Sequence, residues 1–341
     1  MKRLMALTMI LAGCGGGTMM NNNPPDVTMA QGDFSYYVVN SLLVPMQRSD
    51  YAIDLNGDNH PDNQLGNIIG ALSAQNLDTQ KQIDMAVGGG TVVLLISVQA
   101  TNLMTADNVG VTVYLGQKQM MPDFMSGMGM FTVDGSEMPG HFFGKISSGK
   151  MLSNNPVTTT HPVTLTLKLP LIAGADALSL NVNGAHIQFN VGTDSASGKP
   201  GLLNGQLHGS IKNADVQNSI IPAVAQLLSK NVSVCCMAGG ADGGAGDGGG
   251  CTAGDKQILQ IFDTGGCMNP DGTMAVAMDC KIDVCEVATN MIIMNVLAPD
   301  VQIFASDGTT YMPNPKNTMK DSLSLGLGFT AVQSAKPAGA Q

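Results

Sequence analysis

The residues best suited to chemistry lie in one short acidic stretch, residues 54–62, which reads Asp-Leu-Asn-Gly-Asp-Asn-His-Pro-Asp. Ca²⁺ binds six to eight oxygens at about 2.3–2.6 Å, so a short peptide can bind it only where alternate side chains point inward around a tight turn. This spacing predicts a calcium loop in which positions 1, 3, 5, 7 and 9 supply oxygens, position 7 through its carbonyl. These residues are Asp54, Asn56, Asp58, His60 and Asp62.

The same stretch resembles EF-hand, dockerin and thrombospondin-type calcium loops over its first nine positions. Position 6, where a sharp turn usually needs Gly, is Asn59, and Asn tolerates a positive φ better than most residues. Position 12 is Leu65, so the bidentate carboxylate is missing. The resemblance therefore implies either a weak calcium site or one that a distant residue completes.

The alternative interpretation gives these residues a purely structural role. Asp54 and Asn56 would then form turns through their side-chain oxygens. Asp62 would be the N-cap of a helix that begins near Asn63, since Asp is a preferred N-cap residue. The number of oxygens at ligand spacing favours calcium over this alternative.

The N-terminus has the organisation of an export signal. Lys2 and Arg3 give the N-terminus a positive charge, and residues 4–12 form an apolar stretch. The sequence Leu-Ala-Gly-Cys14 at the end of this stretch resembles a bacterial lipobox. The resemblance implies a signal peptide over residues 1–13 and a lipidated Cys14, with a flexible tether over residues 14–32. Gly15 implies sorting to the outer membrane in the same way. The alternative is an ordinary secretory leader with an incidental Cys.

If the protein is exported, the six cysteines further along the chain are expected to form disulfides, because disulfides form in oxidising compartments. An even number of cysteines there predicts three disulfides, whose pairing has fifteen possibilities. Zinc is the competing interpretation, but no Cys-x-x-Cys pair is present and export favours oxidation. The six residues are Cys235, Cys236, Cys251, Cys267, Cys280 and Cys285.

The cysteine-rich segment also contains a second, irregular acidic pattern. Residues 256–263 resemble the entering helix of an EF-hand whose first ligand would be Asp263. Counted forward, positions 3 and 5 are Gly265 and Cys267, which are not calcium ligands, and the next helix-start signature, residues 282–286, comes about twelve residues late. We therefore expect disulfides to replace the ion here. The weaker candidate ligands are Asp263, Asp279, Asp283 and Glu286.

Composition indicates a folded, turn-rich protein. Of its 341 residues, 44% are hydrophobic and only 12% are charged. The acidic residues are 24 Asp and two Glu, and this bias favours a mostly β protein, since Asp forms turns whereas Glu favours helices. The formal net charge of −10 disfavours nucleic acid as a partner.

Hydrophobic periodicity predicts a mainly β fold, an antiparallel β-sandwich with a few short helices. Residues 163–169 alternate apolar and polar side chains, as a strand does. Residues 178–191 have the pattern of a hairpin with Asn183-Gly184 as its turn. Residues 214–229 have helical spacing, and Pro222 is expected to kink or divide that helix.

The chain is expected to divide into a β-sandwich domain over residues 33–232 and a Cys-rich, EF-hand-like segment over residues 233–298. C-terminal strands over residues 299–341 are expected to return to the β domain. One of them is predicted at residues 301–304 and the last begins near residue 323, where Leu, Leu, Leu and Phe alternate with Ser and Gly.

The sequence gives little support to an enzyme. The five His are scattered, and neither a zinc-protease motif, a serine nucleophile elbow nor a phosphate loop is present. The alternative is an exported hydrolase with a site assembled from dispersed residues. Its candidates are Asp123, Asp134, Glu137 and His141. The Met-rich residues 119–131 could bind Cu(I), but the 24 Met of the chain favour a packing role.

Three segments together resemble a group of Gram-negative lipoproteins: Asp-Leu-Asn-Gly-Asp from residue 54, Leu-Ala-Pro-Asp-Val from residue 297 and Asp-Ser-Leu-Ser-Leu-Gly-Leu-Gly-Phe-Thr from residue 321. The resemblance implies an envelope location and no particular activity. We predict a lipid-anchored, calcium-stabilised protein of the cell envelope that acts as a surface binding or structural module. Its expected partners are the membrane, through the lipid, and an unknown protein or envelope ligand.

Overall fold

The computed structural model describes residues 30–74, 78–118, 123, 127–154, 162–169, 178–235, 252–316 and 318–340. The predicted signal peptide, the lipidation site Cys14 and most of the tether lie outside the described residues. Cys236 and Cys251 also lie outside them, as does most of the Met-rich stretch.

Within the described residues, nine strands form one sheet in which every pair of neighbours is antiparallel, in the order β5-β4-β3-β2-β1-β9-β8-β7-β6. β5 also pairs with β7, so eight of the nine strands close into a barrel. The strands are β1 (Asp33–Leu43), β2 (Leu94–Ala100), β3 (Thr105–Leu115), β4 (Gly140–Ser147), β5 (Lys150–Ser153), β6 (Val163–Leu169), β7 (Leu178–Thr193), β8 (Pro200–Lys212) and β9 (Ser322–Gln333).

The mainly β prediction is confirmed, but the predicted sandwich is wrong, because the sheet closes on itself. The long strand β7 makes this possible: its first half pairs with β6 and its second half pairs with β5. Met151 of β5 and Phe189 of β7 are paired across the closing seam, and both are buried. Alternation in a sequence shows that one face of a strand is buried, but it does not show whether the sheet closes.

The hairpin predicted at Asn183-Gly184 is also wrong, since both residues lie inside β7. Gly184 has a φ of +58°, and the register against β8 shifts between Asn183 and His186. A residue with positive φ in a strand can form a bulge as well as a turn. A Cβ at Gly184 would lie 2.5 Å from the ring of Tyr311, so the glycine also allows that ring to pack against the strand.

The inward face of the barrel is filled by aliphatic and aromatic side chains that belong to one contiguous hydrophobic cluster. Leu207 illustrates the alternation, because it pairs with Ile187 on one side and with Leu327 on the other, and all three are buried. The same cluster includes residues of several helices. The barrel and its helices therefore share a core.

The described part of the chain contains seven short α-helices beside the barrel, and none of them is long and apolar enough to cross a membrane. The helix predicted near residues 214–229 contains a π-helical stretch, Val216–Ile220, immediately before the turn that holds Pro222. The helices are α1 (Gln64–Ala74), α2 (Thr79–Gly88), α3 (Asn213–Asp215), α4 (Ile221–Val232), α5 (Ala253–Phe262), α6 (Val284–Thr289) and α7 (Met291–Val296).

The segment between α7 and β9 packs on the outside of the sheet. The strand predicted at residues 301–304 is absent there: Val301 and Phe304 form only isolated bridges, to Ser322 and Tyr311. Their side chains, with Ile303, bury Leu55 of the acidic loop in a small separate cluster. This segment therefore lies against the predicted calcium loop, although about 240 positions separate the two in the chain.

Candidate metal centre

The acidic loop connects β1 to α1, and the fold brings three of its carboxylates together. One oxygen from each of Asp54, Asp58 and Asp62 lies within 4.8 Å of the other two. Asp62 is only 2% exposed, whereas Asp54 and Asp58 are partly exposed. Among the described residues, these three form the one such group of acidic, His or Cys side chains.

The backbone of the loop is organised around the first carboxylate. Asp54 Oδ1 accepts hydrogen bonds from the backbone N–H of Gly57 at 2.6 Å and of Asp58 at 3.2 Å, and its Oδ2 accepts one from Asn59 at 2.9 Å. Gly57 and Asn59 have positive φ, 85° and 65°. The sharp turn expected at position 6 is present, and Asn59 adopts the left-handed conformation that it requires.

The other two predicted ligands have different environments. Asn56 is fully buried, its Oδ1 accepts a hydrogen bond from Asp58 N at 2.9 Å, and its Nδ2 donates to Asp58 Oδ2. The His60 ring is exposed, and His60 N donates to Asp58 Oδ1 at 2.8 Å. Asn56 therefore supports the position of Asp58, and the His60 ring also contacts that residue, with Nδ1 at 3.1 Å from Asp58 O.

Asp62 faces the loop and not the helix that follows it. Its Oδ2 accepts a hydrogen bond from Leu55 N at 3.1 Å, so the N-cap role of the alternative interpretation is not the contact that this carboxylate makes. Burial, together with the negative charges of Asp300, Asp58 and Asp54, raises the pKa of Asp62 to about 7. An ionised Asp62 is thus costly in the folded protein unless a cation is near.

Position 12 cannot supply a ligand, since Leu65 is buried in the hydrophobic core. A carboxylate that the sequence count missed, Asp300, lies beside the loop. It accepts hydrogen bonds from Ser324 N and Ser324 Oγ of β9, and the guanidinium of Arg48 lies 3.4 Å from it and 3.9 Å from Asp62. The sequence carried no signal for this neighbour, because only the tertiary fold brings residue 300 to the loop.

The weaker candidates lie between the C-terminus of α5 and the first turn of α6 and do not converge as closely as the three carboxylates of the first loop. Asp263 and Glu286 are buried, at 5% and 2% exposure, and so is Asp283. Asp279 is exposed. Asp283 is paired with Lys281 Nζ at the surface.

The cysteines that the structure describes agree with oxidation and not with zinc. Cys267 and Cys285 form a disulfide. Cys235 and Cys280 are disulfide-bonded as well. A sulfur in a disulfide is not a thiolate, so these four residues cannot form a zinc site.

Three of the four candidate hydrolase residues, Asp134, Glu137 and His141, have the following contacts. Asp134 and Glu137 share Lys168, at 3.1 Å and 3.5 Å. The hydroxyl and backbone N–H of Ser136, followed by Lys168, hold the pKa of Asp134 below its usual value. His141 Nδ1 lies 3.2 Å from Thr112 Oγ1. These contacts are those of a turn and a surface ion pair.

A pair of histidines that the sequence did not single out lies on neighbouring strands of the barrel. His186 and His208 are paired across β7 and β8 and are 7% and 1% exposed. Burial lowers the pKa of His186 to about 3, with a contribution from His208, and that of His208 to about 4. Neither Nε2 has a hydrogen-bond partner of good geometry. Both rings are thus held neutral in the fold.

One cleft, of about 510 Å³, lies between α4 and the cysteine-rich segment. The charged residues that line it are Asp271, Lys281 and Asp283, and no His is among its described lining residues. Converging His and carboxylate groups, the arrangement that would favour a hydrolase, are not found in its lining.

No family model, curated protein or solved structure matches this chain. The geometry of the acidic loop is therefore the observation on which a function rests.

Proposed function

We propose that this protein is a lipid-anchored lipoprotein of the cell envelope whose fold is stabilised by calcium, and that it serves as a binding or structural module without catalytic activity. The observation that carries the calcium part is the convergence of Asp54, Asp58 and Asp62 within 4.8 Å. Carboxylate oxygens in a tight turn are the ligands that hard cations such as Ca²⁺ prefer.

The electrostatics of the loop support a cation. Three carboxylates at this separation repel one another, and Asp62 is removed from water, which strengthens that repulsion. Arg48 is the neighbouring positive group, but its side chain is half exposed and lies 3.9 Å from Asp62. The same guanidinium lies closer to Asp300, at 3.4 Å, so Arg48 is shared between two carboxylates and a bound cation is the stronger source of neutralisation.

The affinity should be low. With Leu65 at position 12, the dissociation constant is expected to be about 10⁻⁴–10⁻³ M, the range of extracellular calcium modules. Free calcium at ten times that constant would add about 1.4 kcal/mol to the free energy of unfolding. Such a site is useful outside the cell, where calcium reaches millimolar concentrations.

The test is a melting curve in EGTA and in millimolar calcium. Calcium should raise the melting temperature of the unmutated protein, and Asp58→Ala should remove most of the shift because it deletes a central carboxylate. Asp307→Ala is a matched control: Asp307 also accepts backbone hydrogen bonds in a turn, from Thr309 and Thr310, but it lies outside the acidic group. If calcium raised the melting temperatures of Asp58→Ala and Asp307→Ala equally, the proposal would be rejected.

The envelope part rests on the resemblance of residues 11–14 to a lipobox. Expression in a Gram-negative host with a fatty-acid analogue should label the protein in the membrane fraction. Cys14→Ser should abolish the label, since only the thiol can carry the lipid. An unlabelled, soluble product from the unmutated chain would reject lipidation and leave the calcium site unaffected.

A further inference from the structure

We propose that residues 263–286 form a second calcium site, with Asp263 and Glu286 as its principal carboxylates and with an insertion of twelve residues after its first position. In a standard loop the first and last ligands are 11 positions apart, whereas here they are 23 apart, from 263 to 286. The site is separate from the acidic loop at residues 54–62 and does not depend on it.

The first observation is a buried carboxylate oxygen without a partner. Asp263 is 5% exposed; its Oδ2 accepts a hydrogen bond from Cys280 N at 2.8 Å, while its buried Oδ1 has no hydrogen-bond partner. A buried, ionised carboxylate is expensive unless it is paired or binds a metal. In the described part of the chain, no Lys, Arg or His forms an ion pair with Asp263.

The second observation is the position of Glu286, which is 2% exposed. Its Oε1 accepts a hydrogen bond from Gly265 N at 2.6 Å, and its Oε2 accepts one from Asp283 N at 2.8 Å. Gly265 is two residues from Asp263, so the two buried carboxylates are held at the same end of the loop. Glu286 likewise has no ion-pair partner among the described residues.

Counted backwards from Glu286 as position 12, the register places oxygen donors at positions 9, 7 and 5 but not at position 3, which is Ala277. Position 9 is then Asp283, position 7, which supplies a carbonyl, is Lys281, and position 5 is Asp279. Position 6, which requires a sharp turn and is usually Gly, is Cys280, with a φ of +61°. The forward count from Asp263 could not show this register, because the inserted residues follow position 1.

The insertion folds back on itself and leaves the two ends of the loop together. Gly266 N donates to Ala275 O, Ala275 N donates to Cys267 O, and Asn269 N donates to Thr273 O. These hydrogen bonds hold the inserted residues in a small hairpin-like structure between position 1 and the remainder of the loop. Asp263 can therefore reach Cys280 N directly, as a first ligand does when no insertion is present.

The elements on both sides fix the ligands. Asp263 is the C-cap of α5, and Asp283 is the N-cap of α6, with Glu286 in its first turn. Ser229 of α4 holds the loop at Ile282, since Ser229 Oγ donates to Ile282 O at 2.8 Å and accepts from Ile282 N at 2.9 Å. The site is thus held by α4, α5 and α6, and it is largely formed before any ion binds.

The chemistry of the donors selects the ion. All the available donors are oxygens, from carboxylates and a backbone carbonyl, and both nearby cysteines, Cys280 and Cys285, are in disulfides. Calcium accepts such a set with water completing the shell, whereas zinc prefers sulfur and nitrogen.

The experiment counts the calcium ions bound by the full chain in equilibrium dialysis at several millimolar calcium. The unmutated protein should bind two ions, Asp263→Asn one, Asp58→Ala one and the double variant none. Asp263→Asn keeps an oxygen that can accept from Cys280 N. Asp271→Asn is the matched control, because Asp271 is an exposed turn residue of the same segment and should leave both ions bound.

The outcomes separate the two sites. One ion in the unmutated protein, lost in Asp58→Ala but kept in Asp263→Asn, would overturn the second site and leave the proposed function intact. One ion lost only in Asp263→Asn would support the second site and reject the first. No bound ion in the unmutated protein would overturn both.

A melting experiment covers the case in which Asp263→Asn affects folding. In EGTA the variant should melt at or above the temperature of the unmutated protein, because it lacks a buried charge without a partner. In calcium the order should reverse, since only the unmutated protein gains both ions. If the two proteins had the same order of melting temperatures in EGTA and in calcium, Asp263 would have only a structural role and the second site would be overturned.

Discussion

Asn63 and Gly326 exchange two hydrogen bonds: Asn63 Nδ2 donates to Gly326 O at 3.1 Å, and Gly326 N donates to Asn63 Oδ1 at 3.0 Å. The Asn63 side chain, which is fully buried, thus binds β9 as the backbone of another strand would. Its Nδ2 also donates to Asp50 O. Because Asn63 follows Asp62, this contact fixes the end of the acidic loop to the barrel.

Asn63→Ala is expected to lower the free energy of unfolding by about 2–3 kcal/mol, because it leaves buried backbone groups of Gly326 without partners. The measurement is urea unfolding in EGTA, so that calcium does not contribute. Asn181→Ala is the control, since Asn181 is exposed on β7. If Asn63→Ala lost no more free energy of unfolding than Asn181→Ala, water would have replaced the Asn63 amide.

Gly326→Ala should destabilise the protein by about 1–3 kcal/mol, the usual cost of overpacking. An added Cβ would lie 2.0 Å from the carbonyl oxygen of Tyr51, which is backbone and cannot rotate away. Calcium affinity should fall as well, because Tyr51 leads directly into the loop. Gly88→Ala is the matched control, since its Cβ would meet nothing within 4 Å; a similar loss in both variants would contradict this account.

Acid should destabilise the fold through the buried histidine pair. Because the folded pKa values of His186 and His208, about 3 and 4, lie below the usual value of 6.5 for histidine, the unfolded chain binds more protons between these pKa values and pH 6.5. Their contribution to stability is complete above about pH 6.5 and is lost as pH falls toward 4. The urea midpoint in EGTA at pH 7 and pH 5 measures this loss less an opposing gain from Asp62, whose folded pKa of about 7 makes the folded chain bind more protons at that carboxyl as pH falls.

The pH dependence of the urea midpoint should be smaller in His208→Gln than in the unmutated protein. A pH dependence that is the same in the unmutated protein and in His208→Gln would show that His208 does not titrate on unfolding.

Removal of the Cys267–Cys285 disulfide should lower stability by about 3 kcal/mol, the chain-entropy expectation for a closed loop of this size, with a sequence separation of 18. The double variant Cys267→Ser/Cys285→Ser, compared with Met268→Leu at an exposed neighbouring position, tests this in urea. A double variant as stable as the control would place the stabilisation of this segment in its hydrogen bonds.

Local patterns in the sequence were sufficient to predict the structure wherever it depends on the residues of one segment alone. The alternation over residues 163–169 predicted β6 with its observed bounds, and the strand expected from residue 323 is contained in β9. The spacing of Asp54, Asp58 and Asp62 placed three carboxylates on the inside of one turn, where the structure has them. In each case the relevant groups are within a few residues of one another, so backbone geometry alone brings them together.

Only the tertiary structure decided what depends on distant partners. The sequence predicted a sandwich and a hairpin at Gly184, whereas the pairing of β5 with β7 closes a barrel and keeps Gly184 inside one strand. Asp300 beside the loop and the bonds between Asn63 and Gly326 likewise join residues more than 200 positions apart. Such contacts are selected by the shared burial of several strands at once, a property that no single segment of the sequence encodes.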